Sequence, residues 1–422
     1  MSEKQKKDKL FFNFQLSIIN YFVPLSPQFS RIMIARIFLL LVLIIVLPDI
    51  FIYMKYVRKD KRLSFRSFIV IAVISAIMLI YTIVLALQPG FAPKNTSVLF
   101  VYLFLLGILM VPKAVYALFT FLVSFVTKKK AEPIACTLAV LSLGTVIYGS
   151  TVGIRQIEVH QETFYSADLP AAFDGYRLIL IADAHVGSFI GWQKPVLEKF
   201  VDVVMAQKAD AILFAGDLQN MHPDELEVAR KQLERIQAKD GVFSVLGNHD
   251  YAGYLGETQG IIKKSESKTQ SMQRAFGWNL LMNENAIIRR GNDSIVIAGM
   301  ENEGQKHFPR KGDIKKTMKG IGKDAFVIMI QHDPTAWKTE ILPQTNAQLT
   351  VSGHTHGGQV SLFGLHAAEF AYDEWGGRYD EGDRALYVTT GLSGFVPFRL
   401  GLPAEVVVMT LRRRNYEGGI TK

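Results

Sequence analysis

The chain has 422 residues, 49% of them hydrophobic, with a formal charge of +9 and one cysteine. Residues 1–151 hold 17 Lys/Arg and 5 Asp/Glu, while residues 152–422 hold 30 and 33. The basicity therefore belongs to the N-terminal part, where cations between apolar runs flank a bilayer rather than bind nucleic acid. Cys136 excludes an intrachain disulfide and reads as a small filler in an apolar segment.

In chain order, residues 1–33 form a basic tail with Lys4, Lys6, Lys7 and Lys9. Within it, 10–26 is apolar but too short to span, so an interfacial segment is expected. Residues 34–152 then carry four apolar stretches: 34–54, 68–87, 97–125 and 133–152. Each reaches or exceeds the roughly 20 residues needed to cross a hydrocarbon core. The third contains Pro112-Lys113 and is too long for one straight span. A single tilted or kinked helix is expected, with two re-entrant halves as the alternative. Asp49 beside Pro48 is an intramembrane carboxylate, read either as functional or as reaching the interface from a helix end.

Orientation follows the loop cations. The first loop, "KYVRKDKRLSFR", carries six, and the third carries Lys128, Lys129 and Lys130, whereas the second carries only Lys94. These place the first and third loops in the cytoplasm and the C-terminal domain outside it. The basic tail opposes that assignment unless it crosses or the chain starts at Met33. A third stretch that crossed twice would put the domain in the cytoplasm.

From residue 153 to 414 the texture changes, with 415–422 left as a tail. Runs rich in Val, Ile and Leu alternate with charged helical stretches. Strands are expected at 176–182, 211–216, 242–247, 294–299, 327–331, 349–353, 386–391 and 405–414. Helices are expected at 192–207 and 224–238, the second capped by Asp224. Such alternation predicts parallel strands covered by helices. All nine histidines lie after residue 151. Asp183 and His185 follow the first strand, Asp217 the second, Asn248 and His249 the third. His332 follows "VIMIQ", and His354 and His356 follow "LTVSG". C-terminal strand ends share one edge of an α/β sheet, so these residues can converge. Two Asp, one Asn and five His are oxygen and imidazole ligands that suit Mn, Fe, Zn or Ni. Seven or eight groups exceed the needs of one Zn and suggest two ions sharing a carboxylate, with a bridging hydroxide as nucleophile in phosphoryl transfer. Gly216, Gly247 and Gly353 allow sharp turns before ligands, and Gly357 and Gly358 would let the backbone approach an anion.

DAH (183–185), GDLQN (216–220), GNHD (247–250), His332 and GHTHGGQ (353–359) resemble, in order, the five blocks of the calcineurin-like metallophosphoesterases. With "GLSGFVPFRLGLPAEVVVMTL" they look most like its bacterial membrane-associated branch. The resemblance implies an α/β domain of mixed or parallel sheets flanked by helices, as a two-sheet sandwich, after an all-α transmembrane region. It further implies that Asp183, His185 and His356 hold one metal and Asn248, His332 and His354 a second. Asp217 would bridge them, and His249 would protonate the leaving oxygen. Asp250 would orient His249 by a hydrogen bond or cap a helix. Asn220 stands where the family often has an acid, and Ala184 replaces a bulkier residue.

The expected activity is hydrolysis of a phosphodiester or pyrophosphate, lipid-linked or nucleotide-linked, at a multi-pass membrane. Alternatives are a phosphomonoesterase or phosphoprotein phosphatase, or a non-catalytic membrane protein with a regulatory metal domain. Tyr251 and Tyr254 could line the pocket. The basic run 308–320 could hold an anion or lie solvated, and His160, His222, His307 and His366 are expected to be structural or surface.

Overall fold

The computed structural model describes residues 27–127, 131–305 and 308–414. The basic tail to residue 26, Lys128–Lys130, His307 and residues 415–422 lie outside the described residues. The chain divides into two compact units between Gly153 and Ile154.

The first unit is helical. Helix α1 spans Pro27–Ile52 and runs into a π-helical turn, Tyr53–Lys59. Helix α2 (Phe65–Ala86) starts where the Ser64 hydroxyl accepts from the Ser67 N–H. Helix α3, Thr96–Ser124, is one continuous helix of 29 residues. A π-helical turn at Leu106–Met110 lies just before Pro112 and widens the coil where proline removes a donor. Helix α4 is Ala131–Thr151. All four are long and apolar enough to cross a membrane.

Their polar groups are paired internally. Lys113 Nζ lies 2.6 Å from Asp49 Oδ1, 2.6 Å from Ser75 Oγ and 3.0 Å from the Ile45 carbonyl. One ammonium thus ties α1, α2 and α3 together. Asp49 is 14% exposed and takes Lys113 as its partner, which is how a buried charge is kept tolerable. A second network gathers on Glu132 at the start of α4. It accepts from Arg62 at 2.7 and 2.9 Å and from the Tyr56 hydroxyl at 3.0 Å, with Lys55 at 3.1 Å.

The second unit is a two-sheet sandwich. Strand β1 is Ile157–Ser166 and β2 Arg177–Ile181. Helix α5 (Lys194–Ala206) leads to β3 (Ala211–Phe214), and α6 (Asp224–Leu233) to β4 (Val242–Ser244). Helix α7 (Gln259–Ala275) leads to the short β5, Asn279–Leu280. Then follow β6 (Glu284–Arg290), β7 (Asp293–Gly299), β8 (Phe326–Ile330) and β9 (Leu349–Ser352). A small hairpin joins β10 (Ser361–Leu362) to β11 (Leu365–His366). Strands β12 (Gly377–Glu381), β13 (Arg384–Val388) and β14 (Ala404–Arg413) complete the chain.

One sheet has the order β1-β14-β2-β3-β4-β5 and the other β12-β13-β9-β8-β7-β6. In the first, β14 is antiparallel to β2 while β2 through β5 are parallel. In the second, β7, β8, β9 and β13 are parallel between antiparallel edges. The expected strands divide between two sheets, as the resemblance implied, and β14 returns to the first.

Strand alternation gives each sheet two apolar faces. Leu178, Leu180, Leu213 and Phe243 of one sheet meet Ile297, Phe326, Ile328 and Val351 of the other in the central core. On the outer side of the first sheet, Ile179, Ile212 and Phe214 pack against Leu197, Phe200, Val204, Leu226 and Leu233 of α5 and α6. The outer side of the second buries Val296, Val327 and Met329 under Trp337 and Ile341. Asp224 does not cap α6. It is the first helical residue and pairs with Lys268 at 2.6 Å, while the buried Glu225 carboxylate accepts from the N–H groups of Asn220, Met221 and His222.

Phe200 is buried on α5, so Phe200→Ala should cost about 3–5 kcal/mol. Thermal unfolding of the detergent-solubilised chain should show a clear fall in midpoint, whereas Val228→Ala, exposed on α6, should show almost none.

Candidate metal centre

The two sheets bring their C-terminal strand ends to one place. Loops after β2, β3 and β4 supply Asp183, His185, Asp217, Asn248 and His249, and loops after β8 and β9 supply His332, His354 and His356. The chain must turn sharply after β2, β3 and β9. Asp183, His185, Asp217, His354 and His356 all have positive φ, between 40° and 77°. That left-handed region is costly for residues with a side chain and persists only where surrounding contacts over-determine it.

Those contacts are visible. The Asp183 N–H donates to the Gly216 carbonyl at 2.9 Å, and the His185 and Val186 N–H groups donate to the Asp217 and Leu218 carbonyls. Asp183 in turn accepts the His354 N–H at 3.0 and 3.1 Å, linking the two sheets. Asp250 accepts four backbone N–H groups: Gly247 at 3.0 Å, Asp217 at 2.9 Å, Leu218 at 3.0 Å and Gln219 at 3.2 Å. Its carboxylate therefore fixes the loop carrying Asp217. The hydrogen bond to His249 expected of Asp250 is not made, because its oxygens face those amides. His249 Nδ1 instead lies 2.5 Å from the Asn220 carbonyl.

The side chains form two groups with one shared member. Asp183, His185, Asp217 and His356 offer ligand atoms within 4.8 Å of one another, as do Asp217, His332 and His354. Asn248 joins the second group, its Oδ1 lying 2.8 Å from His354 Nδ1 and 3.1 Å from His332 Nε2. Asp217 Oδ2 is 3.6 Å from His185 Nε2 and 3.2 Å from His332 Nε2.

The fit to metal rests on orphaned atoms. Both ring nitrogens of His185, Oδ2 of Asp217 and Nδ1 of His356 are buried without a hydrogen-bond partner. Buried polar atoms are rarely left so, and each of these residues offers one ligand atom to the cluster in which such atoms lie within 4.8 Å of one another. Other atoms are committed in the sense that frees a ligand nitrogen. The Ala215 carbonyl, 2.7 Å from His332 Nδ1, holds a proton there and turns Nε2 toward Asp217 and Asn248. Tyr372 does the same for His354 Nε2 at 3.0 Å, leaving Nδ1 inward.

Electrostatics divide the set: against burial, Asp217 and Asp183 raise His332 to about 10. Burial, with His249 nearby, pushes His185 down to about 3, and burial holds His356 well below its usual range, so both are neutral imidazoles able to ligate. Burial lifts Asp183 to about 8. Burial would lift Asp217 too, but His332, His249 and His185 outweigh it and hold the carboxylate well below its ordinary value.

Tyr254, expected to line the pocket, and several residues that sequence reasoning passed over shape the site. Tyr254 stacks on the His249 ring at 4.4 Å and its hydroxyl accepts from Asn248 Nδ2 at 2.8 Å. Phe395 lies parallel to the same imidazole at 5.9 Å. Phe308 meets His354 edge-on at 4.5 Å. Arg399, wholly buried, donates to the carbonyls of Thr390, Gly391 and Ser393, and so holds the loop whose Ser393 N–H donates to the Asp183 carbonyl. Arg399 lay in plain sight in "FRLG", but only its burial reveals its task.

The remaining expectations sort simply. Asn220 lies outside both ligand groups, bonded to Ser188 and the Phe395 carbonyl. Gly247 is needed for space, since an added Cβ would sit 2.2 Å from Asp217 Oδ1. Gly357 and Gly358 are needed for space as well, since an added Cβ would meet Leu402 and Ala367. The cations of 308–320 are largely paired, Arg310 with Glu303, Lys311 with Glu266 and Lys316 with Asp313. His366 stacks on Trp375.

Residues 176–358 match the family model of the calcineurin-like phosphoesterases. Two curated relatives described as a transmembrane protein with metallophosphoesterase domain are similar. The one from Danio rerio is 28% identical over 254 residues, covering 58% of this chain and 55% of its own. The one from Bos taurus is 26% identical over 288 residues, covering 67% and 62%. The uncharacterized metallophosphoesterase YkuE of Bacillus subtilis is 27% identical over 270 residues, covering 62% of this chain and 87% of its own. The match to the first two relatives spans a little over half of their length.

Asp250→Asn places an amide N–H₂ among N–H donors and should loosen the Asp217 loop. Metal affinity, read by chelator competition on the purified chain, should fall about 10–100-fold; unchanged affinity would show that Asp250 does not support the site.

Proposed function

The chain belongs to the calcineurin-like metallophosphoesterases through its residues 176–358, and from that premise we propose that it is a membrane-anchored, two-metal hydrolase of phosphodiester or pyrophosphate bonds. The observation that carries the reading is the position of Asp217, shared by two ligand groups beside an imidazole with both nitrogens unpartnered. In this reading Asp183, His185 and His356 hold one divalent ion, Asn248, His332 and His354 hold another, and Asp217 touches both. Bound there, ions such as Mn, Fe or Zn supply an activated water and positive charge for the phosphoryl oxygens.

The protein's own groups do the rest. His249 commits its Nδ1–H to the Asn220 carbonyl; burial disfavours and Asp217 favours a second proton at Nε2, and it is that imidazolium which would protonate the leaving oxygen. Tyr254 and Phe395 clamp its ring from stacked positions, so the imidazole meets the leaving group in a fixed orientation. Ala252, with φ 56°, and the Asp250 contacts keep the loop after β4 in register with that after β3. Phe308 and Tyr372 flank His354 on the other side and help exclude water from the centre. The four apolar helices favour a substrate that is itself held at a membrane, such as a lipid-linked or nucleotide-linked phosphate.

Purified full-length chain should hydrolyse bis-p-nitrophenyl phosphate, lose that activity with a chelator and regain it with Mn. It should turn over the diester faster than p-nitrophenyl phosphate; faster turnover of the monoester would replace the diesterase reading with a phosphomonoesterase. His249→Ala should retain metal and lose about 10²–10⁴ in kcat. Activity that survived this change would remove His249 from the chemistry.

A further inference from the structure

The hairpin β10–β11 follows directly from the His354–His356 loop. Gln359 Nε2 donates to the Val396 and Phe398 carbonyls, the Ser361 N–H donates to the Leu400 carbonyl, and the Ala367 N–H donates to the Val360 carbonyl. At its base His366 stacks on Trp375 at 4.2 Å, and the Trp375 carbonyl accepts from the Thr355 hydroxyl. The hairpin is thus fastened to the loop that presents the two histidines.

Its tip is chemically odd. The two turn residues are Phe363 and Gly364, both at positive φ, 55° and 80°. A tight turn of this kind ordinarily takes Asn, Asp or Gly at its first position. Here a bulky aromatic occupies it, at a backbone cost, and its side chain is fully exposed at 104%. Leu362 and Leu365 beside it are 49% and 59% exposed, and Phe370 and Val396 are 55% and 39% exposed. Residues 360–368, "VSLFGLHAA", contain no Lys, Arg, Asp or Glu. Folding explains none of this, since the aromatic buries nothing and strains its own backbone. Strain kept without a folding reward points to function.

The chain also states what such a tip would meet. Among the described residues it carries four helices long and apolar enough to cross a membrane, and the last of them ends a few residues before β1. A lipid surface is therefore the constant neighbour of this domain. Phe and Leu on a short uncharged protrusion are the composition that enters a headgroup–acyl boundary.

We propose that the hairpin tip Leu362–Leu365 is a bilayer-docking wedge, which inserts Leu362, Phe363 and Leu365 into the lipid interface and sets the metal-centre loop at headgroup depth. This surface stands apart from the chemistry. It adds to the reading above a reason why membrane-lodged phosphoesters, rather than freely diffusing ones, would reach His249.

The test needs no turnover, so its failure cannot be confused with failure of the hydrolase reading. Full-length chain with Cys136→Ala receives Phe363→Cys or Leu365→Cys, is labelled with an NBD fluorophore, and is reconstituted in phosphatidylcholine–phosphatidylglycerol vesicles. Leu365 has no positive φ, which keeps the test valid if the change at 363 disturbs folding. Doxyl-labelled lipid should quench both positions by about half or more, as expected for interfacial depth, and should leave a label at Val228→Cys on α6 unquenched. Labels at 363 and 365 quenched no more than the one at 228 would overturn the proposal. So would shielding that disappears on diluting the protein in lipid, since that marks a second copy of the chain as the occupant.

Discussion

Everything in the catalytic unit depends on holding Asp217 in a conformation its backbone resists. At φ 58° its carboxylate reaches between two groups of imidazoles. Left alone, that loop would relax. Four amides gathered on the Asp250 carboxylate, three of them from the Asp217 loop, keep it in place. The chain solves a local problem with a long-range contact between the ends of β3 and β4. The same logic recurs at Asp183, which is pinned by β3 on one side, by His354 on another and by the Arg399-supported loop on a third. A strained, buried, partner-poor set of side chains of this kind is what the charge of a bound metal would complete.

Much of this was legible in the residues, for physical reasons. Buried parallel strands must be continuous apolar runs, so β2, β3, β8 and β9 stood out, and the ligands at their ends followed. Edge strands gave no such signal. β1 alternates and β12 reads "GRYDE", so neither was expected. Helix α7, "QGIIKKSESKTQSMQRA", buries little more than Thr269, Met272 and Gln273, too few apolar positions to show a helical stripe. Division into two sheets turns on β14, which pairs with β1 and β2 across more than two hundred residues, a register that no local pattern encodes. Asp250 makes the cap that was the alternative reading, through the Gly247 N–H, and not the bond to His249; its other three partners come from the loop after β3, which spacing along the chain does not reveal.

The membrane unit repeats the theme of charges answered from within. Asp49 looked like a stray carboxylate in an apolar run, yet its partner Lys113 was the other stray charge, placed just past a π-helical turn and Pro112. Hydropathy alone could flag both residues but could not pair them. The Phe363 hairpin is the reverse case. It is apolar surface left unanswered, and it sits beside the loop that carries His354 and His356.

The central claim is that Asp217 lies between two metal ions. Electron paramagnetic resonance of the full-length chain loaded with Mn tests it most directly. Two ions sharing the carboxylate, about 3.5–4 Å apart, should give a spin-coupled spectrum that collapses to isolated Mn signals in Asp217→Asn. Isolated Mn signals in the unaltered chain at saturating metal would contradict the account.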